Sequence, residues 1–315
     1  MAEATISSAI PNVRVDLREL LALRGAAVQL SQGALARTRE DRGGAHASPF
    51  RGRGMEYAES RPYAAGDDVR HIDWRVTART GRTHTKLFQP ERDRSTAIVY
   101  DASPAMAFGT RGCFKSVQAA RLAALMAWHA LGEGDRLAAA VCGAPNETLP
   151  PMGSRRGALR VLDALVRWQP VGRVEPTKEP APLARALDHL GRLLRPGSRV
   201  LLLLDARSLD AAAASALIRL HTHHDLAALL IADAIELTAP KPGDYRIGDG
   251  RATAHAHLET LDARTRWNEH FAQQHQTAVE VLKRGMVRSR IVSTQEDPVQ
   301  ALRSLIGKPV CEVAA

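Results

Sequence analysis

The chain has 315 residues, of which 45% are hydrophobic and 24% charged. These proportions are those of ordinary globular proteins and exclude a wholly disordered chain. Lysine and arginine exceed aspartate and glutamate by 43 to 34, a formal net charge of +9 that favours acidic partners without naming one.

The sequence carries no pattern typical of a membrane or secreted protein. Its longest apolar runs, residues 200–204 and 226–232, are far shorter than the about 20 residues of a spanning helix. The first residues lack a basic region followed by an apolar core, so no secretory signal is predicted. Three scattered cysteines without a CxxC pair are typical of a reducing compartment, and we expect a cytoplasmic protein.

The predicted elements begin with a helix that Asp16 caps and that ends near Gly33. An Arg-rich stretch follows over residues 33–94, which we predict to be irregular with short strands, the last at 83–88. From residue 96 strands and helices alternate. The predicted strands are 96–100, 136–142, 199–204, 225–232 and 287–293. The predicted helices are 114–131, 155–168, 182–194, 209–221, 259–283 and 298–305, with a loop or small hairpin at 239–257.

This alternation predicts an α/β fold, a doubly wound and mostly parallel sheet covered by helices on both faces. The continuous apolar strand at 199–204 agrees, because a strand buried on both faces has no polar alternation. The expected organisation is an N-terminal tail and helix (1–32), an Arg-rich segment with short strands (33–95) and the α/β domain (96–315).

Two aspartates follow predicted strands directly, Asp101 after 96–100 and Asp205 after 199–204. Ligands of open parallel sheets bind beyond the carboxyl ends of the strands, so these carboxylates are candidates for a binding site. With Ser103 they would offer the oxygen ligands that Mg²⁺ prefers. The alternative is that both aspartates only cap the helices that follow them.

Residues 51–109 closely resemble the signature of the domain of unknown function 58 family, bacterial proteins with a von Willebrand factor A-like domain. The motif Gly134-Asp135-Arg136 is also similar to the family. The positions that carry the resemblance are Gly52, Gly54, Glu56, Arg61, Tyr63, Gly66, Asp67, Arg70, Ile72, Asp73, Trp74, Ala78, Arg79, Lys86, Glu91, Asp101 and Ser103.

The resemblance implies a von Willebrand factor A-like α/β domain with a metal-ion-dependent adhesion site. Asp101, Ser103 and Asp205 would hold Mg²⁺ or another divalent cation. Ala105 and Ala181 stand where the pattern has hydroxyl ligands, so the metal is expected to be weakly bound or absent. The family also implies pairing with MoxR-type AAA+ ATPases, which are thought to mature or activate client complexes.

The Arg-rich segment has two interpretations that the sequence leaves open. Its arginines and aromatic residues are the types that dominate protein interfaces, which favours a docking surface for the ATPase. Its interleaved carboxylates favour an internal salt-bridge network instead. The candidate partner-binding residues are Arg61, Tyr63, Asp67, Arg70, Asp73, Trp74 and Arg79.

We therefore predict a non-enzymatic, chaperone-like interaction module that works with a MoxR-type ATPase and its client. No Walker phosphate loop and no Gly-x-Ser-x-Gly nucleophile motif are found in the sequence. One alternative is a basic nucleic-acid-binding protein that uses residues 37–94, although carboxylates interrupt the arginines throughout. The other is a metal-dependent hydrolase using Asp101 and Asp205, for which no general base is evident.

Overall fold

The computed structural model describes residues 12–30, 55–64, 67–90, 94–143, 145–170, 182–248 and 253–306. The chain forms two compact units, one comprising Met1–Glu40 with Arg94–Ala315 and the other Asp41–Asp93. We call them the α/β unit and the inserted unit. The N-terminal helices thus belong to the α/β unit, whereas the sequence analysis set residues 1–32 apart.

The α/β unit is built on a six-stranded sheet in the order β10-β7-β6-β3-β4-β5. All neighbouring strands are parallel except β5, which runs antiparallel to β4 at the edge. The predicted mostly parallel sheet is confirmed, and β5 is an addition that the sequence analysis missed. The strands are β3 Ser95–Ala102, β4 Arg136–Gly143, β5 Thr148–Met152, β6 Arg199–Leu204, β7 Asp225–Ala232 and β10 Arg288–Ser293.

Helices cover both faces of the sheet, as the predicted doubly wound architecture requires. One face packs against α1, α4, α5 and α10, and the other against α6, α7 and α9. The helices are α1 Leu17–Ala22, α4 Lys115–Gly132, α5 Ser154–Trp168, α6 Pro182–Leu193, α7 Ala211–His221, α8 Ala234–Leu237, α9 Leu261–Arg284 and α10 Pro298–Ile306. Residues 24–30 form a further helix, α2.

Strand β3 alternates its side chains between these two layers. Ile98 and Tyr100 lie in the cluster with α4, whereas Ala97 and Val99 lie in the cluster with α7, and all four are fully buried. Residues 97–100 are therefore all apolar, because both faces of the strand are removed from water.

The N-terminal helices are tied to α4 by polar as well as apolar contacts. Asp16 caps α1 by accepting the Glu19 N–H, and Glu19 pairs with Arg121 at 2.6 Å. The Trp128 indole N–H donates to the Leu20 carbonyl at 3.0 Å. The predicted single helix is broken at Leu23, and its predicted end near Gly33 lies outside the described residues.

The inserted unit contains an antiparallel pair, β1 Met55–Pro62 and β2 His84–Pro90, joined through a short helix, α3 Trp74–Thr80. The sequence analysis predicted the strands but missed this helix. Its signals are local, because Asp73 caps the first turn and Gly81 ends it in the left-handed region at φ 69°.

A small hairpin, β8 Asp244–Gly248 and β9 Thr253–His257, precedes α9. The sequence analysis expected a loop or a small hairpin at 239–257, and the structure shows that it is a hairpin. Within the described parts of the chain, no helix has the length and apolar character needed to cross a membrane.

Candidate functional site

The carboxyl ends of β3 and β6 form the point at which the sheet reverses its strand order. The chain leaves β3 through α4 to β4 on one side and later returns to β6 on the other side. Such a switch point opens a crevice where ligands of doubly wound sheets bind. Tyr100 is opposite Leu203 in the register, so Asp101 and Asp205 both emerge at this edge.

Asp101 is completely buried at the end of β3. Its Oδ1 accepts the Ser103 N–H at 2.8 Å, and its Oδ2 accepts the Asp205 N–H at 3.0 Å and the Ser208 hydroxyl. Burial raises the pKa of the Asp101 carboxyl above its ordinary value, against the effect of these donors. The predicted convergence of Asp101 and Asp205 is therefore present, as a direct hydrogen bond.

Asp205 is held as an anion by two cationic side chains. Lys115 Nζ lies 2.5 Å from Asp205 Oδ2, and Arg207 Nε lies 3.0 Å from Oδ1. Burial by itself would raise the pKa of Asp205, but the Lys115 ammonium and the Arg207 guanidinium lower it to about 2. Asp205 also caps a 3-10 turn by accepting the Arg207 N–H.

Lys115 is the centre of this network and is entirely buried. Besides Asp205 it contacts both oxygens of Glu236, at 2.8 and 3.0 Å, and its ammonium lies 5.8 Å from the centre of the Phe108 ring. It is the first residue of α4, where the helix dipole disfavours a positive charge. Two buried carboxylates compensate both that field and the desolvation of the ammonium.

The network continues to the ends of β7 and β10 through Asp233. Asp233 and Glu236 form a capping box at α8. The Asp233 carboxylate accepts the Ile235 N–H, and the Glu236 carboxylate accepts the Asp233 N–H. Asp233 also accepts the Thr110 N–H and hydroxyl and the Thr294 hydroxyl. His275 of α9 is buried nearby, and its desolvation lowers its pKa, which favours the neutral ring.

Sequence reasoning missed Lys115, Asp233 and Glu236. A signal existed for two of them, because Asp233 is a third aspartate directly after an apolar strand and Glu236 completes the capping-box spacing. For Lys115 the sequence offered only a lysine at the start of a mainly apolar helix that also contains Arg121. Its partners lie 90 and 121 residues away along the chain.

The residues present do not fit the divalent cation predicted for Asp101, Ser103 and Asp205. Every oxygen of both carboxylates already accepts a donor, and a buried ammonium contacts Asp205 where a metal would bind. Within the described ranges no group of three or more His, Cys, Asp or Glu side chains is arranged to hold a metal. The Ser103 hydroxyl is buried without a partner there, but one hydroxyl is no coordination sphere. Ala181 lies outside the described residues.

The capping alternative describes the local contacts well. Asp205 caps its turn, and Asp101 accepts the N–H of the residue two positions on. Capping alone does not explain why Asp101 reaches across to the β6 edge, or why Lys115 is buried against Asp205. The two aspartates therefore serve as caps and as members of one buried network.

A cleft of about 430 Å³ opens beside this network, between the loop 107–114, the β8–β9 hairpin and α9. We call it the edge cleft. Its apolar walls include Phe108, Phe114, Ile235, Tyr245, Ile247 and Trp267. The Lys115 N–H donates to the Phe108 carbonyl at 2.8 Å, so the loop that lines the cleft is anchored at the buried lysine.

In the inserted unit, the candidate partner-binding residues divide into two groups. The carboxylates serve local structure: Asp67 pairs with Arg61 at 2.6 Å, and Asp73 caps α3 and accepts the Ser60 hydroxyl at 2.8 Å. The Tyr63 hydroxyl donates to the Asp67 carbonyl. These contacts lower the pKa of both carboxyls, that of Asp67 mainly through the Ala64 N–H and that of Asp73 mainly through Ser60.

The remaining candidates of the inserted unit face solvent. Arg70 and Arg79 are exposed, and Trp74 is 71% exposed. Among the described side chains, the expected internal network is thus limited to the Arg61–Asp67 pair. Two further positions that carry the family resemblance, the side chain of Glu56 and the residue Glu91, lie outside the part of the chain that the structure describes.

Curated proteins with similar sequences include uncharacterized proteins from Mycobacterium tuberculosis and Mycobacterium bovis. Each is 30% identical to this chain over 216 residues, which cover 66% of the chain and 65% of the relative. The aligned region thus spans somewhat less than two thirds of the length of these relatives.

Solved structures that match this chain in part include an aerotolerance-related membrane protein from Bacteroides fragilis (TM-score 0.42, 14% identity, 68% of this chain and 97% of that one). A von Willebrand factor type A protein from Catenulispora acidiphila matches at TM-score 0.39 and 14% identity, over 71% of this chain and 43% of that one.

The family model of the protein of unknown function DUF58 matches residues 59–279. The match includes most of the inserted unit that the structure describes, the ends of β3 and β6, and the capping box at α8. It confirms the resemblance drawn from residues 51–109. This chain belongs to the DUF58 family.

Proposed function

We propose that this chain is a non-enzymatic interaction module that binds a partner protein at the carboxyl edge of its sheet. One observation carries the proposal: the charged groups at this edge neutralise one another in the interior, and an open, apolar-walled cleft lies beside them. An edge built in this way offers a fixed surface for docking. Family membership, which describes no activity, is compatible with this function.

The state of the candidate catalytic groups supports binding over chemistry. A general base must reach its substrate with a pKa near the working pH. Asp101 is fully buried, and Asp205 is 3% exposed and held as a weakly basic anion. Burial raises the pKa of Cys142 well above its ordinary value, so this thiol is a poor nucleophile. The hydrolase alternative therefore gains nothing from the described residues.

The partner we propose is a MoxR-type AAA+ ATPase, with its client as a second partner, in the cytoplasm. The family resemblance of residues 51–109 is the support for this choice. The Lys115–Asp205 ion pair supports docking that does not depend on a metal ion, because Lys115 already supplies the positive charge next to Asp205. The exposed Arg70, Trp74 and Arg79 of the inserted unit are a second docking surface within the same proposal.

The experiment is a binding titration between the purified chain and the MoxR-type ATPase of the same organism, with and without a chelator. We expect binding that survives the chelator. Ile247→Asp in the edge cleft should weaken it about tenfold or more, because an apolar contact is replaced by a charge. Ile218→Asp is the matched control, since Ile218 is 51% exposed on α7 and lies outside the residues that line the cleft.

Trp74→Ala tests the second surface in the same titration. A loss of binding in Trp74→Ala alone would move the docking site to the inserted unit. Absence of binding by the unmodified chain would overturn the proposed partner. Loss of binding on chelation would overturn its independence of metal.

A further inference from the structure

The edge cleft adjoins a second depression of about 400 Å³, and the two share the lining residues Arg111, Ile235 and Pro240. We call the two depressions together the groove; its lining includes Trp267 in the first depression and Lys241 and Arg264 in the second. Because the two depressions are neighbours on one surface, the groove suits an extended segment better than a compact ligand.

The aromatic walls are fixed by hydrogen bonds within the protein. The Trp267 indole N–H donates to the Ile235 carbonyl at 2.7 Å, and the Tyr245 hydroxyl donates to the Lys241 carbonyl at 2.8 Å. Both rings therefore present only apolar surface to the cleft, with their polar atoms already satisfied. A preformed cleft with apolar walls binds a large side chain with little rearrangement of its own residues.

The loop 107–114 that completes the cleft is equally constrained. Thr110 is held at its N–H and hydroxyl by the buried carboxylate of Asp233. A side chain at Gly109 would collide with the Cys113 carbonyl, and Gly112 has φ +86°, so the loop needs glycine at both positions. The cleft is thus supported by the same buried network that includes Lys115.

The charge around the groove has one sign. The cationic residues in its lining are Arg111, Lys241, Arg246 and Arg264, and no aspartate or glutamate is found among the described residues that line either depression. Arg111 and Lys241 are exposed, and no carboxylate of the described residues pairs with either. Several acidic residues close to the lining in sequence are engaged elsewhere: Asp244 pairs with His257, and Glu296 pairs with Arg290. Glu259, which follows the lining residue Leu258, is exposed.

We infer that the groove is a docking site for an acidic peptide segment of a partner protein, with one large apolar or aromatic side chain as its anchor. The anchor would occupy the cleft between Phe108, Tyr245 and Trp267, and the flanking carboxylates would meet Arg111 and Lys241. Apolar anchors in rigid pockets and charges at the rim are the usual division between affinity and selectivity in such interfaces. This inference rests on the proposed interaction function and specifies the partner's chemistry.

A single-stranded nucleic acid could also combine stacking with positive charge. The structure favours the peptide, because the aromatic side chains of the described lining, Phe108, Phe114, Tyr245 and Trp267, are all half-buried walls of a cleft, and none of them is fully exposed for stacking. Phosphate-driven binding also gains from many cations, and the described lining of this groove supplies four, Arg111, Lys241, Arg246 and Arg264.

The test is to pan a random dodecapeptide library displayed on phage against the intact chain. Enriched peptides are then synthesised and titrated by fluorescence anisotropy. We expect enrichment of an aromatic or large apolar residue flanked by Asp and Glu. Arg111→Glu should weaken binding about tenfold and reduce its dependence on salt, as expected when a rim charge is reversed. Ile247→Trp, which fills the cleft, should weaken binding to a similar extent.

The matched control is Arg156→Glu, a charge reversal at an exposed arginine of α5 outside the groove, which should leave binding unchanged. Thermal unfolding of each variant shows whether it is folded. No enrichment, enrichment without acidic residues, or equal loss in Arg156→Glu would overturn the inference. So would a single-stranded oligonucleotide that binds more tightly than the peptides and is lost in Arg111→Glu.

The ATPase titration separates this inference from the proposed function. If the ATPase binds and Arg111→Glu has no effect, the module function stands and the groove assignment fails. If acidic peptides bind in the groove and the ATPase does not bind, the groove assignment stands and the proposed partner fails.

Discussion

The two ends of the same sheet both carry a buried carboxylate network, but they are built differently. At the amino end, Asp135 before β4 is 3% exposed and binds Arg199 at 2.8 Å, Arg94 at 3.0 Å and the Thr96 hydroxyl at 2.5 Å. The side chains of Arg94 and Arg199 remain 29% and 21% exposed. At the carboxyl end, the cation Lys115 is 0% exposed.

The two networks differ in the exposure of the cations that compensate the buried carboxylates. The arginines at the amino end keep contact with water, so their charge costs little and they mainly tie the starts of β3, β4 and β6 together. The Lys115 ammonium at the carboxyl end is shielded from water, so its charge is compensated by Asp205 and Glu236 instead. The network around Lys115 also anchors the loop 107–114 of the edge cleft, through the Phe108 carbonyl and through Thr110, and so holds that loop in one arrangement.

The largest expected effect comes from Lys115→Met. The variant leaves Glu236 buried without a cation and Asp205 paired only with Arg207. Breaking a buried pair in this way costs about 3 to 5 kcal/mol of unfolding free energy. Urea unfolding at neutral pH measures it. Adding Glu236→Gln to the variant should recover part of the loss, since one uncompensated charge is removed. A loss below about 1 kcal/mol would show that the network is not a unit.

Acid should weaken the carboxyl end through Asp205. Its pKa of about 2 in the folded protein lies below the ordinary 3.8, so its contribution is present above pH 4 and is lost as the pH falls from 4 towards 2. The shift corresponds to about 2 kcal/mol. Urea unfolding over a pH series measures this loss. From pH 4 to pH 2, the unfolding free energy of Asp205→Asn should fall by about 2 kcal/mol less than that of the unmodified protein. Parallel curves for the two proteins would contradict the assignment.

Asp135→Asn breaks the network at the amino end and should cost less than Lys115→Met. Arg94 and Arg199 can turn to water when the carboxylate is removed, so we expect a loss of about 1 to 2 kcal/mol. The same urea measurement gives the difference between the two ends directly. A cost equal to that of Lys115→Met would remove the distinction drawn here.

The smallest effect, close to zero, is expected for divalent cations on the unmodified protein. Neither Mg²⁺ nor a chelator should shift the thermal midpoint by more than about 1 °C, because a ligand stabilises only through binding to the folded state. Strong stabilisation of the unmodified protein would restore the predicted adhesion-site metal.

Much of the fold followed from sequence periodicity. Most strands and helices from residue 96 onwards were predicted almost to their ends, because apolar runs bounded by turn residues are local signals. The four-residue helix α8 was missed, because it is too short to show a periodic pattern. The edge strand β5 was missed, since Thr148–Met152 contains two consecutive prolines and lacks an apolar run. Helix α3 was missed for a related reason: its seven residues lack an apolar face, and only its caps indicate it.

The sequence alone determined that Asp101 and Asp205 meet at one edge of a wound sheet, because every parallel strand that ends in a carboxylate delivers it to the same side. It did not determine what meets them there. Lys115, Glu236 and the walls of the edge cleft come from segments far apart in the chain, and only the packing of α4, α8 and the hairpin brings them together. Charge compensation in a protein interior depends on distances of a few ångströms, and these are set by tertiary structure rather than by order along the chain.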